Sequence, residues 1–335
     1  MFHGLGQMDL SGLRPLPRRV GQWCRRRRSR LVFAVLCLSL LLVLRAVLKL
    51  RPSRESIEMA GTVNELMKLP PKGYVNLGVA ALSLAKEHYR DLDVAAADRQ
   101  IDGLAFRIKS LAEDLKGRGV ADPETTAMNR VLFEEEGFKY DMVSLKRRTT
   151  DPGYLSYLLD THQGDCLSMT TLCLVIAQRL GWYVYPVSAP GHVFLRYVSP
   201  DKTREYNIEP TAGGETLPDE FYTQNLSISA NSYERGTYLR PLRDREFLAL
   251  LLNLSTAGLP PKQAIQRLKK ALELDPRCAD CYMQLAGVYH MESIMTRGKE
   301  SLRWGDEAIE YKKKAEEMGW VALEDTPLWK RRISK

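Results

Sequence analysis

The residues with the clearest chemical potential are a cysteine, a histidine and a carboxylate that follow one another along a short stretch of chain. Cys166 starts an apolar run, and His192 and Glu209 come later, in two runs with strand character. A thiolate is a strong nucleophile, an imidazole can take the thiol proton, and a carboxylate can hold the imidazole in the required tautomer. This order of residue types indicates nucleophilic catalysis by a thiol.

The cysteine is predicted to begin a buried helix. Asp165 is a residue type that caps helices, and residues 166–180 carry a single charge, Arg179, among apolar side chains at helical spacing. At the start of such a helix, unpaired backbone N–H groups and the positive end of the helix dipole favour the thiolate of Cys166. Cys173, on the same helix, is interpreted as a core residue.

The histidine and the carboxylate are predicted on neighbouring strands. The run 182–187 is aromatic and β-branched, and after a Pro-Gly turn residues 192–198 form the next strand, with the histidine first. A second turn returns the chain as residues 204–209. On that strand Asn207 and Glu209 face the same way, so either of them could accept a hydrogen bond from the imidazole.

Three motifs in this stretch resemble those of the transglutaminase-like superfamily of papain-like thiol enzymes. They are GDC at 164–166, APGHVFLR at 189–196 and NIEPT at 207–211. The resemblance is greatest to a bacterial branch in which tetratricopeptide-like helices follow the core. It implies an α+β fold, in which the cysteine helix packs on a small antiparallel sheet, with flanking helices and a C-terminal α-helical repeat segment.

The resemblance also implies roles for the three residues. Cys166 is then the nucleophile, His192 the base and Glu209 the orienting carboxylate, although the wider superfamily has Asp at the third position. The expected reaction is hydrolysis or acyl transfer on an amide or ester of a protein or peptide, with no cofactor and no metal. The backbone N–H of Cys166 is a natural oxyanion donor, and Gln163 is a candidate second donor.

The N-terminal segment predicts a membrane anchor. Residues 14–30 contain eight arginines, and residues 31–44 contain no charge. Extended to residue 50, the apolar run would be about 30 Å long as a helix, enough for one span. We interpret it as an uncleaved signal anchor with its N-terminus in the cytoplasm and the bulk of the chain outside, in the periplasm.

The positive charge of the chain is concentrated in that segment. The formal net charge is +8, and residues 1–54 hold twelve Arg and Lys against Asp9 alone, which leaves residues 55–335 with a net charge of −3. The basic residues are explained by a membrane flank, and no nucleic-acid binding is expected.

The remaining segments are predicted mostly as helices. Helical spacing runs over 75–90, 94–115 and 123–136, and the polar segment 138–150 is predicted as a loop. The stretch AIQRLKKALELDP at 264–276 aligns with 308–320 at an offset of 44, which resembles a tetratricopeptide repeat with an inserted loop. The predicted organisation is a basic cytoplasmic segment (1–30), the anchor (31–50), a linker (51–73), the transglutaminase-like domain (74–240), the helical repeats (245–320) and a tail (321–335).

Two alternatives remain open at this stage. The chain could be a non-catalytic scaffold, tethered to the membrane, that binds a protein partner through its helical repeats. Cys278 and Cys281 have the spacing of a redox pair or of half a zinc site. Because no second pair accompanies them, they are interpreted as turn and core residues, with a disulfide or redox role as the alternative.

Overall fold

The computed structural model describes residues 62–147, 149–322 and 325–327. The basic segment 1–30 and the predicted anchor at 31–50 lie outside these residues. Within the described part of the chain, none of the helices combines the length and the apolar character that a bilayer crossing requires.

Helices make up most of the structure. In chain order they are α1 (Val63–Leu66), α2 (Leu77–His88), α3 (Val94–Gly117), α4 (Pro123–Asn129), α5 (Met142–Arg147), α6 (Leu155–Thr161), α7 (Cys166–Leu180), α8 (Asp219–Asn225), α9 (Ala230–Glu234), α10 (Asp244–Leu254), α11 (Pro261–Leu274), α12 (Ala279–Met295) and α13 (Lys299–Glu317). Short 3-10 turns occupy Asp151–Gly153 and Pro210–Ala212. The predicted α+β class agrees with this mostly helical structure and its small sheets.

The strands form two small sheets. They are β1 (Lys139–Tyr140), β2 (Gln163–Gly164), β3 (Val184–Ala189), β4 (His192–Val198) and β5 (Glu205–Ile208). The first two pair in parallel, and the other three form an antiparallel sheet in the order β3-β4-β5. All three strand runs predicted after the cysteine helix are therefore confirmed, each within two residues of its predicted start.

The antiparallel sheet separates two apolar cores. On one face Val193 and Leu195 of β4 pack with Leu172 of α7 in the main core. On the other face Phe194 packs with Tyr222 of α8 in a smaller core. Alternation along β4 thus sends successive side chains into different cores, so the strand is fixed from both sides.

The C-terminal helices share the main core with the helices around the cysteine. Leu248 of α10, Ala271 of α11 and Cys281 of α12 are buried in the same cluster as Cys173 of α7. The outer part of α12 packs against α13 in a separate cluster that includes Leu285 and Ala308, with Tyr289 stacked on Trp304. All the described residues belong to one compact unit, Glu58–Lys335.

One local prediction is wrong and another is refined. Residues 138–150, predicted as a loop, contain β1 and α5. The predicted helix 123–136 is α-helical only to Asn129 and continues as a π-helix over Arg130–Glu135. The strand was missed because its partner is distant in sequence: the N–H of Asp141 donates to the carbonyl of Gly164 at 2.8 Å.

Candidate active site

The start of α7 is fixed by the residues before the cysteine. The carboxylate of Asp165 accepts hydrogen bonds from the N–H groups of Leu167 at 2.8 Å and of Ser168 at 3.1 Å, which confirms the predicted cap. Gly164 must lack a side chain, because a Cβ there would collide with the Ser168 hydroxyl and with Leu158. The cap and the glycine together set where the helix begins, and the cysteine occupies its first position.

The helix is held against the sheet next to the histidine. The hydroxyl of Thr170 donates to the backbone carbonyl of Val193 at 3.1 Å, in a buried position. Gly191, with a φ of 60°, makes the turn that precedes β4, and His192 is the first residue of the strand. The thiol of Cys166 lies close enough to the imidazole of His192 to contribute to the raised pKa of that ring.

The histidine also contacts the third predicted residue. Nε2 of His192 lies 2.7 Å from Oε2 of Glu209, and both side chains are almost fully buried. A carboxylate can only accept, so this contact fixes the hydrogen of the neutral ring on Nε2 and leaves the lone pair on Nδ1. This is the tautomer that a general base toward sulfur requires.

Glu209 is itself held by two further residues. Its Oε1 accepts from the backbone N–H of Thr211 at 3.0 Å and from the hydroxyl of Thr211 at 2.6 Å. Its Oε2 accepts from the hydroxyl of Tyr222 at 3.1 Å. The sequence analysis did not single out Tyr222, because it belongs to α8, a segment of mixed pattern whose packing no local spacing reveals.

Asn207, the alternative partner for the imidazole, is engaged elsewhere. Its Oδ1 accepts from Nε of Arg196 at 2.7 Å, and its Nδ2 donates to Asp219 at 2.8 Å and to the carbonyl of Leu217 at 2.8 Å. Although Asn207 shares a strand with Glu209, the pairing of β5 with β4 puts it opposite Arg196 and away from the histidine. Glu209, and not Asn207, therefore contacts the imidazole of His192.

Charge coupling stabilises the ionised forms of the pair. Burial alone would lower the pKa of His192, but the negative charge of Glu209 and the contact with Cys166 outweigh it and raise that pKa to about 10. Burial pushes the pKa of Glu209 upward, but the charge of His192 and the bonds from His192 and Thr211 hold it below its ordinary value. The imidazolium of His192 and the carboxylate of Glu209 thus stabilise each other's charged form.

The two predicted oxyanion donors, the backbone N–H of Cys166 and Gln163, lie in different surroundings. The first N–H groups of a helix have no partner inside it, and Asp165 accepts from those of Leu167 and Ser168. Among the described residues this leaves the N–H of Cys166 at the start of the helix without a hydrogen bond. Gln163 lies on β2, paired with Lys139, and its side chain does not line the cavity described next.

Cys166 and His192 open onto a cavity of about 310 Å³. The α7 start and β4 form one wall of this cavity, and the C-terminal helices form the other. The residues that line it are Cys166, Leu167, Gly191, His192, Val193, Leu250, Asn253, Leu254, Asp280, Met283, Gln284 and Trp320. A substrate that reaches the sulfur must therefore pass along α10 and α12.

The other cysteines differ in environment. Cys173 is buried in the core, as predicted. Cys278 and Cys281 form a disulfide, which corrects their interpretation as turn and core thiols: Cys278 caps α12, and the first helical turn brings the Cα atoms within 5.3 Å. Among the described residues, no cluster of His, Cys, Asp and Glu side chains is suited to a metal ion.

Comparison with known proteins relates the middle of the chain to one family. Residues 95–253 match the transglutaminase-like superfamily, so a transglutaminase-like domain covers the cysteine helix, the antiparallel sheet and α10. Such a domain suggests a function of the thiol-enzyme type. The match ends before α11, and the tetratricopeptide-like character of the later helices stays a prediction.

Curated relatives are similar at low identity. A UPF0162 protein of Pseudomonas aeruginosa is 25% identical over 215 residues, which span 63% of this chain and 76% of that protein. UPF0162 proteins from two strains of Xylella fastidiosa are 27% identical over 142 residues, 42% of this chain. The alignment spans about half the length of the Xylella proteins, at 47%.

Proposed function

We propose that this chain is a thiol enzyme that acts on an amide or ester of a protein or peptide. Cys166 is the nucleophile, His192 the general base and Glu209 the residue that orients the imidazole. The observation that carries the proposal is the buried hydrogen bond between Nε2 of His192 and Glu209, together with the single cavity that both His192 and Cys166 line. The match of residues 95–253 to the transglutaminase-like superfamily supports the same assignment.

In the proposed resting state the proton of the Cys166 thiol is already on His192, because the raised pKa of the imidazole favours the imidazolium beside a thiolate. The thiolate attacks the substrate carbonyl, and the oxygen that becomes negative accepts from the backbone N–H of Cys166. The imidazolium, held by Glu209, then protonates the leaving amine or alcohol. Water or a second amine, deprotonated by His192, releases the acyl group from sulfur, which gives hydrolysis or acyl transfer.

Alkylation of the full-length chain tests the proposal. Iodoacetamide modification of Cys166, followed by mass spectrometry of its peptide, is expected to be at least tenfold slower in His192→Ala than in the wild type. His290→Ala, a change at an exposed histidine on α12, is the matched control and should leave the rate unchanged. Hydrolysis of a neutral thioester and incorporation of a fluorescent amine then separate the two acyl acceptors.

Equal alkylation rates in the wild type and in His192→Ala would favour a scaffold instead. One observation supports that second candidate: apolar side chains project from the outer surface of α12 and α13, beside a groove of about 490 Å³ between these helices. They are Met291, Ile294, Met295, Leu302 and Ile309. In that case the tetratricopeptide-like segment 245–320 would bind a protein partner, and substitutions on this surface would abolish binding.

We further propose that residues 31–50 anchor the protein in a bacterial inner membrane by a single span, with the catalytic domain in the periplasm. The charge-free run after the arginine-rich segment supports this. A C-terminal fusion to alkaline phosphatase should be active, since that enzyme needs an oxidising compartment. If only a C-terminal reporter that works in the cytoplasm were active, the proposed orientation would be wrong.

A further inference from the structure

The C-terminal helices supply polar groups to the cavity of Cys166. Asp280 in the first turn of α12 lines it, together with Asn253 near the end of α10. Neither residue takes part in the path from Cys166 to Glu209. Their role is therefore open, and their placement on the wall facing the sulfur suggests contact with whatever reacts there.

The carboxylate of Asp280 has hydrogen-bonding capacity to spare. Trp320 donates one side-chain hydrogen bond to it, whereas a carboxylate offers about four acceptor positions. Burial raises the pKa of Asp280 to about 6, with the Trp320 bond opposing that rise. At pH 8 the group is therefore ionised and faces the cavity as an incompletely paired negative charge.

The other residues of the lining carry little charge. They include no Lys or Arg, and the one histidine, His192, is already paired with Glu209. Asn253, Gln284 and the backbone N–H of Cys166 are neutral polar groups. Asp280 is therefore the one acidic side chain among the residues that line this cavity.

We propose that Asp280 forms a subsite for a positively charged group on the molecule that reacts with Cys166. A primary ammonium or a guanidinium has the required charge and donors, and an anionic group is disfavoured there. The inference rests on the proposed function, since it names the substrate class of the same site. On this proposal the C-terminal helices select the molecule that reacts with Cys166 by its charge.

A competition between charged thiol reagents measures this selectivity. Equimolar methanethiosulfonates carrying ethylammonium and ethylsulfonate groups are added to the full-length chain at pH 8. The thiolate of Cys166 displaces methanesulfinate and forms a mixed disulfide with either reagent. The ratio of the two adducts on the Cys166 peptide, normalised to that of a free cysteine derivative, is read by mass spectrometry.

Substitutions at Asp280 give the expected and the contradicting results. Asp280→Asn should shift the adduct ratio toward the sulfonate about five- to tenfold, because one negative charge near the sulfur is lost. Asp280→Glu should keep the wild-type ratio. Asp306→Asn, which makes the same charge change at an exposed residue of α13, is the control and should also keep it. An unchanged ratio in Asp280→Asn overturns the proposal.

Failure of this inference can be told apart from failure of the proposed function. Adduct ratios are internal to each sample, so they can be read even if Cys166 reacts as an ordinary thiol. A normal effect of His192→Ala with unchanged ratios rejects the subsite alone. If Asp280→Asn shifts the ratios but His192→Ala does not slow the alkylation of Cys166, the proposed enzyme function is rejected and the charged subsite is retained.

Discussion

The rings of Phe194 and Tyr222 lie flat against each other, with centroids 3.8 Å apart and planes within 6°. Phe194 stands two residues after His192 on β4, so this stack ties α8 to the face of the strand that carries the histidine. It directs the phenol of Tyr222 to Oε2 of Glu209. The orientation of the carboxylate therefore depends on aromatic packing in the smaller core.

Removal of the Tyr222 hydroxyl should weaken the site without disturbing that stack. Tyr222→Phe deletes the hydrogen bond to Glu209 and keeps the ring on Phe194, so a loss of about 1–2 kcal/mol in unfolding free energy is expected. Alkylation of Cys166 should slow several-fold. The measurement is urea denaturation together with alkylation, and Tyr233→Phe, at an exposed tyrosine of α9, is the control. A variant with wild-type reactivity would show that the phenol does not position the carboxylate.

Two substitutions at Glu209 should separate the effect of its charge on His192 from the effect of its side-chain length. Glu209→Gln keeps the length and removes the negative charge, so the pKa of His192 should fall well below about 10, because burial is then opposed by Cys166 alone. Glu209→Asp keeps the charge but withdraws it by one methylene, and a smaller fall is expected. Titration of ¹⁵N-labelled histidine by NMR measures both. The pKa of His192 should be lower in Glu209→Gln than in Glu209→Asp. An equal pKa in both variants would mean that the charge of Glu209 is not the dominant cause of the raised pKa.

The stability of the fold should depend on the proton of His192. Its folded pKa of about 10 exceeds the unfolded value of about 6.5, so the native state holds this proton more tightly. The stabilisation is complete below pH 6.5 and is lost as pH rises toward 10, with a slope of up to about 1.4 kcal/mol per pH unit.

Denaturation at pH 7, 8 and 9 checks this dependence. The comparison uses Cys166→Ser, in which Glu209 remains as a cause that raises the pKa of His192, and the double variant Cys166→Ser/His192→Gln. The first should lose stability across the range relative to the second. Parallel curves for the two proteins would contradict the raised pKa of His192.

Loss of the helix cap should lower both stability and reactivity. Asp165→Ala removes the acceptor for the N–H groups of Leu167 and Ser168, at an expected cost of about 1–2 kcal/mol. Because Cys166 occupies the same helical turn, its alkylation should slow as well. Asp93→Ala removes the equivalent cap of α3, where Asp93 accepts from Ala96, and should lower stability alone.

The sequence predicted those parts of the site that depend on local pattern. The cap, the helix start at Cys166 and the strand start at His192 follow from residue types over a few positions, and all three agree with the structure. The choice between Asn207 and Glu209 did not follow, because both residues face the same way on β5. Strand register decides it by pairing Asn207 with Arg196.

Residues brought in from distant segments escaped prediction for a general reason. Tyr222 reaches the site through packing of α8 on the sheet, and Asp280 through packing of α12 across the cavity. Neither residue has a distinctive spacing relative to Cys166. Periodicity reports which face of an element is buried, but it does not report which other element covers that face.

The burial of Cys281 and Leu274 in one cluster with Cys173 has a consequence for protein engineering. A cut between α10 and α11 would strip apolar cover from α10, where the sulfur of Cys281 lies 3.7 Å from the carbonyl oxygen of Ala249, so the C-terminal helices cannot be exchanged between relatives as an independent cassette. A chimera should melt in a single transition only when both halves come from the same parent. The two halves of the fold are for this reason inherited together.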